Sequence, residues 1–274
     1  MDNKKLERIA NEVRKDILTE TYHAGSGHPG GSLSIADILT LLYFEEMDIT
    51  NENKAGTDRD RLVLSKGHAS PALYGVMAEK GLIDKELLPT FRHLGSPLQG
   101  HPSMNSLPGV DMSTGSLGQG ISAAVGMALA NRLDKNGHRV YAICGDGECE
   151  EGQVWEALMS AGHYKLDNFC AIIDNNNLQI DGCVDQVMSI YPLEDKLKAF
   201  NAHVITIDGH NFDEIRAALK EARKTKGCPT VIVAKTIKGK GVSFMEDVCN
   251  WHGVAPKEDE YKAGMAELEE KCNG

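Results

Sequence analysis

The sequence predicts an α/β fold, with a doubly wound, mostly parallel sheet that carries helices on both faces. The first observation is a set of short, continuously apolar segments, such as 139–144 and 169–174. The second is that helical segments alternate with these apolar segments through the second half of the chain. Strands that are apolar on both faces and are joined by helices are typical of a buried parallel sheet. The simplest interpretation is one domain over residues 1–274.

The individual elements follow from periodicity and turn residues. Apolar residues at helical spacing predict an amphipathic first helix, which the Gly-rich segment HAGSGHPGGS ends. Ser34, with Asp37 three residues later, has the pattern of a capping box for the second helix. Trp155 and Met159, four residues apart on one helix, are predicted to lie in the core. The predicted strands are 61–65, 139–144, 169–174, 203–208 and 230–235, and the predicted helices are 5–22, 35–47, 72–81, 121–133, 150–164, 193–200 and 212–225, followed by a short charged helix in the tail.

The composition excludes several classes of partner. The formal net charge is -11, so neither a nucleic acid nor an anionic membrane is expected as a partner. No apolar run approaches the length of a membrane span, and the charged N-terminal segment is no signal peptide. Seven cysteines without a C-x-x-C pair predict reduced, mostly buried thiols in a cytoplasmic protein.

Two polar loops follow consecutive predicted strands. GDGECEEG comes after strand 139–144, and DNNNLQIDG begins at the end of strand 169–174. Ligands of open parallel sheets bind beyond the carboxyl ends of strands, where these loops are expected to face each other. Asp146 supplies a carboxylate and Asn176 a neutral oxygen. Together with a backbone carbonyl and phosphate oxygens, they form the hard oxygen shell that suits Mg²⁺ rather than Zn²⁺.

The rival interpretation is a dinucleotide or nucleotide site. No G-x-G-x-x-G follows an early strand, and no Walker A sequence is present. Each motif also has a structural interpretation, because GDG alone is a common turn and a single histidine is more often solvated or structural. The combination of Asp146 with Asn176 at two neighbouring strand ends is what favours ligand binding. The long Gly-rich stretch 92–120 favours it too, since loops of that length are usually functional.

The segment GDGECEEGQVWEAL…IIDNNN resembles the thiamine-diphosphate signature. Five further segments resemble blocks of transketolase and occur in the same order: SGHPGGSLS (26–34), SKGHASPALY (65–74), GHP (100–102), STGSLGQGIS (113–122) and KTIKGKG…WHG (235–253). The sequence is therefore similar to the N-terminal, diphosphate-binding (PP-type) part of transketolases over nearly its whole length. The resemblance implies thiamine diphosphate and Mg²⁺ as cofactors, with Ca²⁺ or Mn²⁺ as possible substitutes. It also implies transfer of a two-carbon ketol unit from a ketose phosphate to an aldose phosphate, as in the pentose phosphate pathway.

The resemblance also implies roles for particular residues. Asp146, Asn176 and the backbone carbonyl of Leu178 would ligate Mg²⁺. The implied catalytic residues are His28, His101 and His252. The residues implied to hold the cofactor or the donor sugar are Lys66, His68, Gly115, Ser116, Leu117, Asp146, Gly147, Asn176, Lys238 and His252. Microbial full-length relatives often have a histidine at the position of Cys249, so here that role would fall on His252.

The resemblance further implies that essential parts lie on another chain. A glutamate on a pyrimidine-binding domain and the arginines that grip the sugar phosphate are expected on a C-terminal partner subunit, in a two-plus-two heterotetramer. One alternative is a related enzyme, either 1-deoxyxylulose-5-phosphate synthase-like or a 2-oxoacid dehydrogenase component. His28, His68 and His101 together with GSLGQG favour sugar-phosphate transfer over it. The other alternative is a non-catalytic cofactor-binding module.

Overall fold

The computed structural model describes residues 1–273, with side chains through residue 271. Its centre is a five-stranded sheet in which all neighbouring strands are parallel, in the order β1-β2-β3-β7-β6. A short antiparallel pair, β4 and β5, follows β3 in the chain. The strands are β1 (Arg61–Leu64), β2 (Val140–Gly145), β3 (Phe169–Asn175), β4 (Leu178–Gln179), β5 (Gly182–Cys183), β6 (His203–Asp208) and β7 (Thr230–Lys235).

Helices cover both faces of this sheet. The helices are α1 (Asn3–Ala24), α2 (Pro29–Leu33), α3 (Ala36–Leu41), α4 (Ser70–Glu79), α5 (Gln119–Asp134), α6 (Gly152–His163), α7 (Val184–Val187), α8 (Leu193–Ala199), α9 (Phe212–Lys224) and α10 (Glu258–Asn273). One apolar core contains residues of α1, α3, α4 and α9, and the other contains residues of α5, α6 and α8. Along β3, Cys170 and Ile172 enter the first core, whereas Ala171 and Ile173 enter the second. The predicted fold class, a parallel sheet buried on both faces, is confirmed.

The predicted strands agree with the observed ones to within one residue at each end. The capping-box prediction for the second helix is wrong. Ile35 occupies the N-cap position of α3, and the Ser34 hydroxyl instead donates to the Asp174 carboxylate at 2.6 Å. Asp37 forms an ion pair with Arg14 at 2.5 Å. Both side chains are drawn into long-range contacts, which replace the local capping hydrogen bonds.

The core prediction for the 150–164 helix also needs correction. Met159 is 55% exposed, and Trp155 is only partly buried. The buried side of α6 is lined by Val154, Ala157, Leu158 and Ala161, so Met159 lies on the outer side of the helix. Trp155 does pack against the second core, and its indole donates to the Cys149 carbonyl at 2.8 Å.

The cysteines are free thiols with mixed exposure. The buried ones are Cys144, Cys149 and Cys170, and the partly exposed ones are Cys183, Cys228 and Cys249. Three of these six cysteines are therefore buried, whereas the sequence predicts that most are. The Cys272 side chain lies outside the described residues. Within residues 1–273, no helix has the length and apolar character needed to cross a membrane. The cytoplasmic location stays a prediction of the sequence.

The parallel arrangement brings the carboxyl ends of the strands to one edge of the sheet. Gly145 at the end of β2 pairs in register with Asp174 near the end of β3, and the Asp146 amide donates to the Asp174 carbonyl at 3.2 Å. The segments that follow β1, β2, β3 and β7 therefore converge beyond this edge. This is the position at which parallel α/β sheets bind ligands.

Candidate functional site

A cavity of about 240 Å³ lies beyond the carboxyl edge of the sheet. Almost every residue singled out from the sequence contributes to its wall. The lining consists of His28, Gly31, Lys66, His68, His101, Gly115, Leu117, Gly145, Asp146, Gly147, Glu148, Asp174, Asn176, Leu178, Gln179, Ile180, Lys238 and His252. Ser116 is exposed and lies outside this lining, next to Gly115 and Leu117.

The turn after β1 brings Lys66 into the cavity. The backbone amides of Ser65 and Lys66 both donate to the Ile143 carbonyl, so the turn stays attached to β2 beyond the end of β1. A Cβ atom at Gly67 would lie 2.6 Å from the Thr114 hydroxyl oxygen. Only glycine therefore lets the segment before Gly115 approach this turn so closely.

Asp174 is the central buried anion of the site. It is 0% exposed, and its carboxylate accepts from Lys66 Nζ at 2.5 Å and from Ser34 Oγ at 2.6 Å. The Thr236 hydroxyl and the Asn176 amide also donate to it. Burial opposes ionisation, but the Lys66 ammonium and these hydrogen bonds outweigh it and lower the pKa of Asp174. Asp174 therefore stays charged and draws four segments of the chain together.

Asp146 lies on the adjacent strand end and is also buried. Its carboxylate accepts from the Asn177 amide at 2.5 Å, the Gly147 amide at 2.8 Å and the Asn175 side chain at 3.2 Å. Burial, followed by the nearby Asp174 charge, raises the pKa of Asp146 to about 6 despite these donors. A cation placed against this carboxylate would relieve both causes of the shift.

Two neutral oxygens complete a set that fits a hard cation. The Asn176 side-chain oxygen accepts from the Leu178 amide at 3.1 Å, which folds the loop after β3 back on itself. The Leu178 carbonyl accepts from Lys238 Nζ at 2.9 Å, so a positive charge already lies against this oxygen. Within the described residues, no group of three or more His, Cys, Asp and Glu side chains is arranged to hold a metal ion. One carboxylate with amide and carbonyl oxygens fits Mg²⁺ completed by ligand phosphates, in keeping with the predicted donor set.

Lys238 joins this oxygen set to the histidines. Its side chain is buried and also lies 2.9 Å from His252 Nδ1. Burial, followed by the Lys66 charge, lowers the pKa of Lys238 to about 8. Lys66 is paired with Asp174, so Lys238 is the ammonium group of this wall that has no carboxylate bonded to it among the described residues.

Four imidazole rings line the other side of the cavity. The His28 ring centroid lies 5.3 Å from that of His68, 6.1 Å from that of His101 and 5.5 Å from that of His252. The His68 and His252 rings are stacked, with centroids 5.1 Å apart. His28 Nδ1 is buried and has no hydrogen-bond partner among the described residues.

The histidines are held in their neutral form. Burial is the largest cause and the Arg92 charge the second largest, and they lower the pKa of His28 to about 4. Burial, then the Lys238 charge, lowers the pKa of His252 to about 3. The other two rings also have lowered pKa values, chiefly because they are buried. Neutral imidazoles can accept a proton from a bound hydroxyl group.

Sequence reasoning missed several residues of the cavity wall, and Glu148 is the clearest example. Its carboxylate accepts from Ser65 Oγ at 2.5 Å, from the Gly118 amide at 2.8 Å and from the Gly145 amide at 3.1 Å. It therefore joins the loops after β1 and β2 to the start of α5. Nothing in the acidic run ECEE distinguishes this inward-facing glutamate from its neighbours. A signal existed for Asp174, because a carboxylate ending an apolar strand must find partners.

The fold and the cavity define a ligand-binding α/β domain whose cavity lies at the carboxyl edge of a parallel sheet. Residues 6–270 match the family model described as transketolase, thiamine diphosphate binding domain. The chain belongs to the transketolase family, as its N-terminal thiamine-diphosphate-binding domain. The resemblance found in the sequence motifs is confirmed.

Two relatives match the chain over nearly their whole length. It is 49% identical over 266 residues to the 6-deoxy-6-sulfo-D-fructose transketolase subunit SqwG of Clostridium sp. strain MSTE9, covering 97% of both chains. It is 40% identical to an apulose-4-phosphate transketolase subunit of Phocaeicola vulgatus, covering 97% of this chain and 94% of that one.

Other relatives are much longer than the chain. It is 43% identical to human transketolase over 258 residues, which cover 92% of this chain and 40% of that protein. The solved transketolase of Campylobacter jejuni superposes with a TM-score of 0.91 at 36% identity, covering all of this chain and 43% of that one. The chain therefore spans less than half the length of these transketolases.

Proposed function

We propose that this chain is one subunit of a transketolase that binds thiamine diphosphate through Mg²⁺. With a partner subunit, it transfers a two-carbon ketol unit from a ketose phosphate to an aldose phosphate. The observation that carries this proposal is the convergence of Asp146, Asn176 and the Leu178 carbonyl on one cavity beyond β2 and β3. Membership of the transketolase family supports the reaction class.

In this proposal, Asp146, Asn176 and Leu178 hold Mg²⁺, or Ca²⁺ or Mn²⁺ in its place. The Gly147 backbone lies against the diphosphate, and Lys238 provides a nearby positive charge. Lys238 would leave the Leu178 carbonyl as the metal binds, since both compete for the same oxygen. When bound, thiamine diphosphate supplies a nucleophilic carbon and an electron sink.

The remaining wall would orient the cofactor and the donor sugar. Gly115 and Leu117, which line the cavity, and the adjacent Ser116 are proposed to bind the aminopyrimidine ring. Lys66 and His68, which also line the cavity, are proposed to hold the cofactor or the donor sugar. Because Lys66 is paired with Asp174, its charge is fixed in place rather than free to follow the substrate. Pre-positioned charges of this kind need no reorganisation when a ligand binds.

His28, His101 and His252 are proposed to move protons on and off the sugar hydroxyl groups. Their lowered pKa values keep them neutral at neutral pH, so each ring presents an unprotonated nitrogen to a sugar hydroxyl group. His252 is also hydrogen-bonded to Lys238, which couples its position to the cofactor site. Positioned acid–base groups typically contribute about 10²–10⁴-fold to the rate.

The partner is proposed to carry the pyrimidine-binding and C-terminal domains, with residues 1–274 forming a single domain in a two-plus-two assembly. The cavity-lining carboxylates Asp146, Glu148 and Asp174 are each hydrogen-bonded within this chain, so another acid must act on the aminopyrimidine. Ile180 lines the cavity but is 69% exposed, an apolar side chain that a partner would cover. The naming of two relatives as transketolase subunits supports this arrangement.

The substrate class is a ketose with an anionic terminal group. One relative is named for a sulfo sugar and another for a sugar phosphate, although both match this chain closely. A 6-sulfo ketose donor is the second candidate, favoured by the 49% identity to the first of them. Sulfonate and phosphate are both tetrahedral anions, so one arginine-rich subsite on the partner could accept either.

The test is co-expression with the candidate partner encoded by an adjacent reading frame, followed by activity assays. Xylulose 5-phosphate and 6-deoxy-6-sulfo-D-fructose serve as donors to ribose 5-phosphate, with and without thiamine diphosphate and Mg²⁺. Turnover should require both subunits and both cofactors. Full activity of this chain alone would contradict the proposal. Pyruvate consumption would favour the related enzymes instead, and cofactor binding without turnover of any donor would favour a non-catalytic module.

A further inference from the structure

His210 joins the backbone just before Lys238 to the ion pair of Asp37 with Arg14. It lies in the turn after β6, and its side chain is 12% exposed. Its Nδ1 lies 2.8 Å from the Asp37 carboxylate, while its Nε2 accepts from the Ile237 backbone amide at 2.9 Å. Ile237 immediately precedes Lys238, which lines the cofactor cavity. His210 itself does not line that cavity.

The hydrogen bonds define which ring nitrogen carries the proton. A backbone amide can only donate, so Nε2 must be the unprotonated acceptor and Nδ1 must donate to Asp37. Asp37 is held in turn by Arg14 at 2.5 Å, and Arg14 Nε donates to the Lys240 carbonyl at 3.0 Å. The backbone is therefore anchored on both sides of Lys238 to the same Asp37–Arg14 pair.

Close packing fixes the turn against this loop. A Cβ atom at Gly209 would lie only 2.5 Å from the Thr236 methyl carbon, and the Gly209 amide donates to the Lys235 carbonyl at 2.8 Å. Thr236 in turn donates its hydroxyl to Asp174. The turn that carries His210 is thus packed directly on the segment that places the Thr236 hydroxyl on Asp174 and Lys238 in the cavity.

We propose that His210 is a positioning residue for the diphosphate site, acting through the Ile237 amide to fix the segment from Thr236 to Lys238. This inference rests on the proposed function, because it assigns the segment to cofactor binding. Without the Nε2 acceptor, the Ile237 amide loses its partner, and the backbone that carries Lys238 into the cavity is no longer fixed. Cofactor affinity should then fall more than kcat at saturating cofactor, because His210 itself does not line the cavity.

Two substitutions test the two hydrogen bonds of His210 separately, the one with the Ile237 amide and the one with Asp37. In His210→Gln, the side-chain oxygen reaches the position of Nε2 and can still accept from Ile237. In His210→Asn, the shorter amide lies near the position of Nδ1 and can still donate to Asp37, but Ile237 is left unpaired. The first readout is hydrogen exchange of the Ile237 amide in the full chain without cofactor. We expect exchange to accelerate about tenfold in His210→Asn and to change little in His210→Gln.

The second readout is the dissociation constant of thiamine diphosphate at saturating Mg²⁺, measured on the full chain alone and with its partner. We expect His210→Asn to weaken binding about tenfold and His210→Gln to stay within about threefold of the unsubstituted chain, with kcat at saturating cofactor changing less than about threefold in both. Equal losses in the two variants would overturn the positioning role while leaving the proposed function intact. An unsubstituted chain that binds no cofactor would overturn the proposed function, and the cofactor role of His210 with it.

Discussion

Lys66 and Asp174 form a buried ion pair in which Nζ lies 2.5 Å from the carboxylate oxygen. The pair joins the turn after β1 to the end of β3 across the intervening β2. Lys66 also donates to the Gly31 carbonyl at 2.6 Å, which ties in the Gly-rich segment before α3. Because both charges are removed from water, each depends on the other for its stability in the fold.

Breaking this pair should destabilise the protein strongly. We expect Asp174→Asn or Lys66→Met alone to lower the free energy of unfolding by about 3–5 kcal/mol, since each leaves an uncompensated buried charge or an unpaired polar group. The double substitution should cost less than the sum of the two. Urea unfolding at pH 7 measures all three. Lys198→Met, which removes an exposed ion pair with Asp195, should change stability by less than about 1 kcal/mol. Additive losses would show that the two residues act independently.

Removing the Asp146 carboxylate should abolish metal-dependent cofactor binding. We expect Asp146→Asn to weaken thiamine diphosphate binding in the presence of Mg²⁺ by about 100-fold or more. Replacing a residue that only orients a metal ligand typically weakens binding less than this. Isothermal titration calorimetry provides the measurement, with Asp181→Asn as the control because Asp181 is an exposed carboxylate in the loop that also carries Leu178. Burial and Asp174 raise the pKa of Asp146 to about 6, so protons should compete with Mg²⁺ below that pH. Affinity that stays constant from pH 7.5 to pH 5 would argue against this metal ligand.

Glu20 should make the protein less stable as the pH rises. Its side chain is fully buried, and neither carboxyl oxygen has a hydrogen-bond partner among the described residues. Burial, followed by the Asp16 charge, raises the pKa of Glu20 well above its ordinary value. The Glu20 carboxyl therefore loses its proton at a lower pH in the unfolded chain than in the folded protein. The free energy of unfolding falls as the pH rises above about 4.3, the pKa of a glutamate in an unfolded chain.

Replacing Glu20 with an apolar residue tests that account. We expect Glu20→Met to raise the free energy of unfolding by about 1–3 kcal/mol at pH 8 and by less at pH 5. Glu7→Gln, at an exposed position of the same helix, should change it by less than about 0.5 kcal/mol at either pH. Urea titrations at the two pH values provide the comparison. A gain of the same size at both would show that the Glu20 charge is not responsible.

The histidine cluster should affect the chemical step more than cofactor binding. His101 contacts the cavity beside Gly115 and carries no hydrogen bond to Lys238. In the assembled enzyme we expect His101→Asn to lower kcat by about 10²–10⁴-fold while the dissociation constant of thiamine diphosphate changes less than about threefold. Steady-state kinetics and cofactor titration measure the two quantities separately. His163→Asn, at an exposed position, is the control. A change in affinity equal to the change in kcat would assign His101 to cofactor binding instead.

Much of the fold and the centre of the site could be predicted because their signals are local. The apolar strands and the loops that end them are visible in short stretches, and consecutive parallel strands are usually neighbours. The sequence alone therefore predicts that Asp146 and Asn176 lie close together. The β2–β3 register then confirms that the two loops share one edge of the sheet.

Contacts between distant segments could not be read from local patterns. Ser34 has the local sequence of a helix cap, but its hydroxyl binds Asp174, which lies 140 positions away. His210 follows a strand like other polar loop residues, and its role depends on Ile237 and Asp37. Such pairings depend on strand order and on which loops meet, and neither is encoded in the periodicity of a single segment.

The most direct measurement is a crystal structure of this chain with thiamine diphosphate and Mg²⁺. The account predicts a metal ion bound by Asp146, the Asn176 side-chain oxygen and the Leu178 carbonyl, with the diphosphate on the same ion. It also predicts that Lys238 no longer contacts Leu178. A cofactor bound elsewhere, or a metal ion that contacts neither Asp146 nor Asn176, would contradict the account.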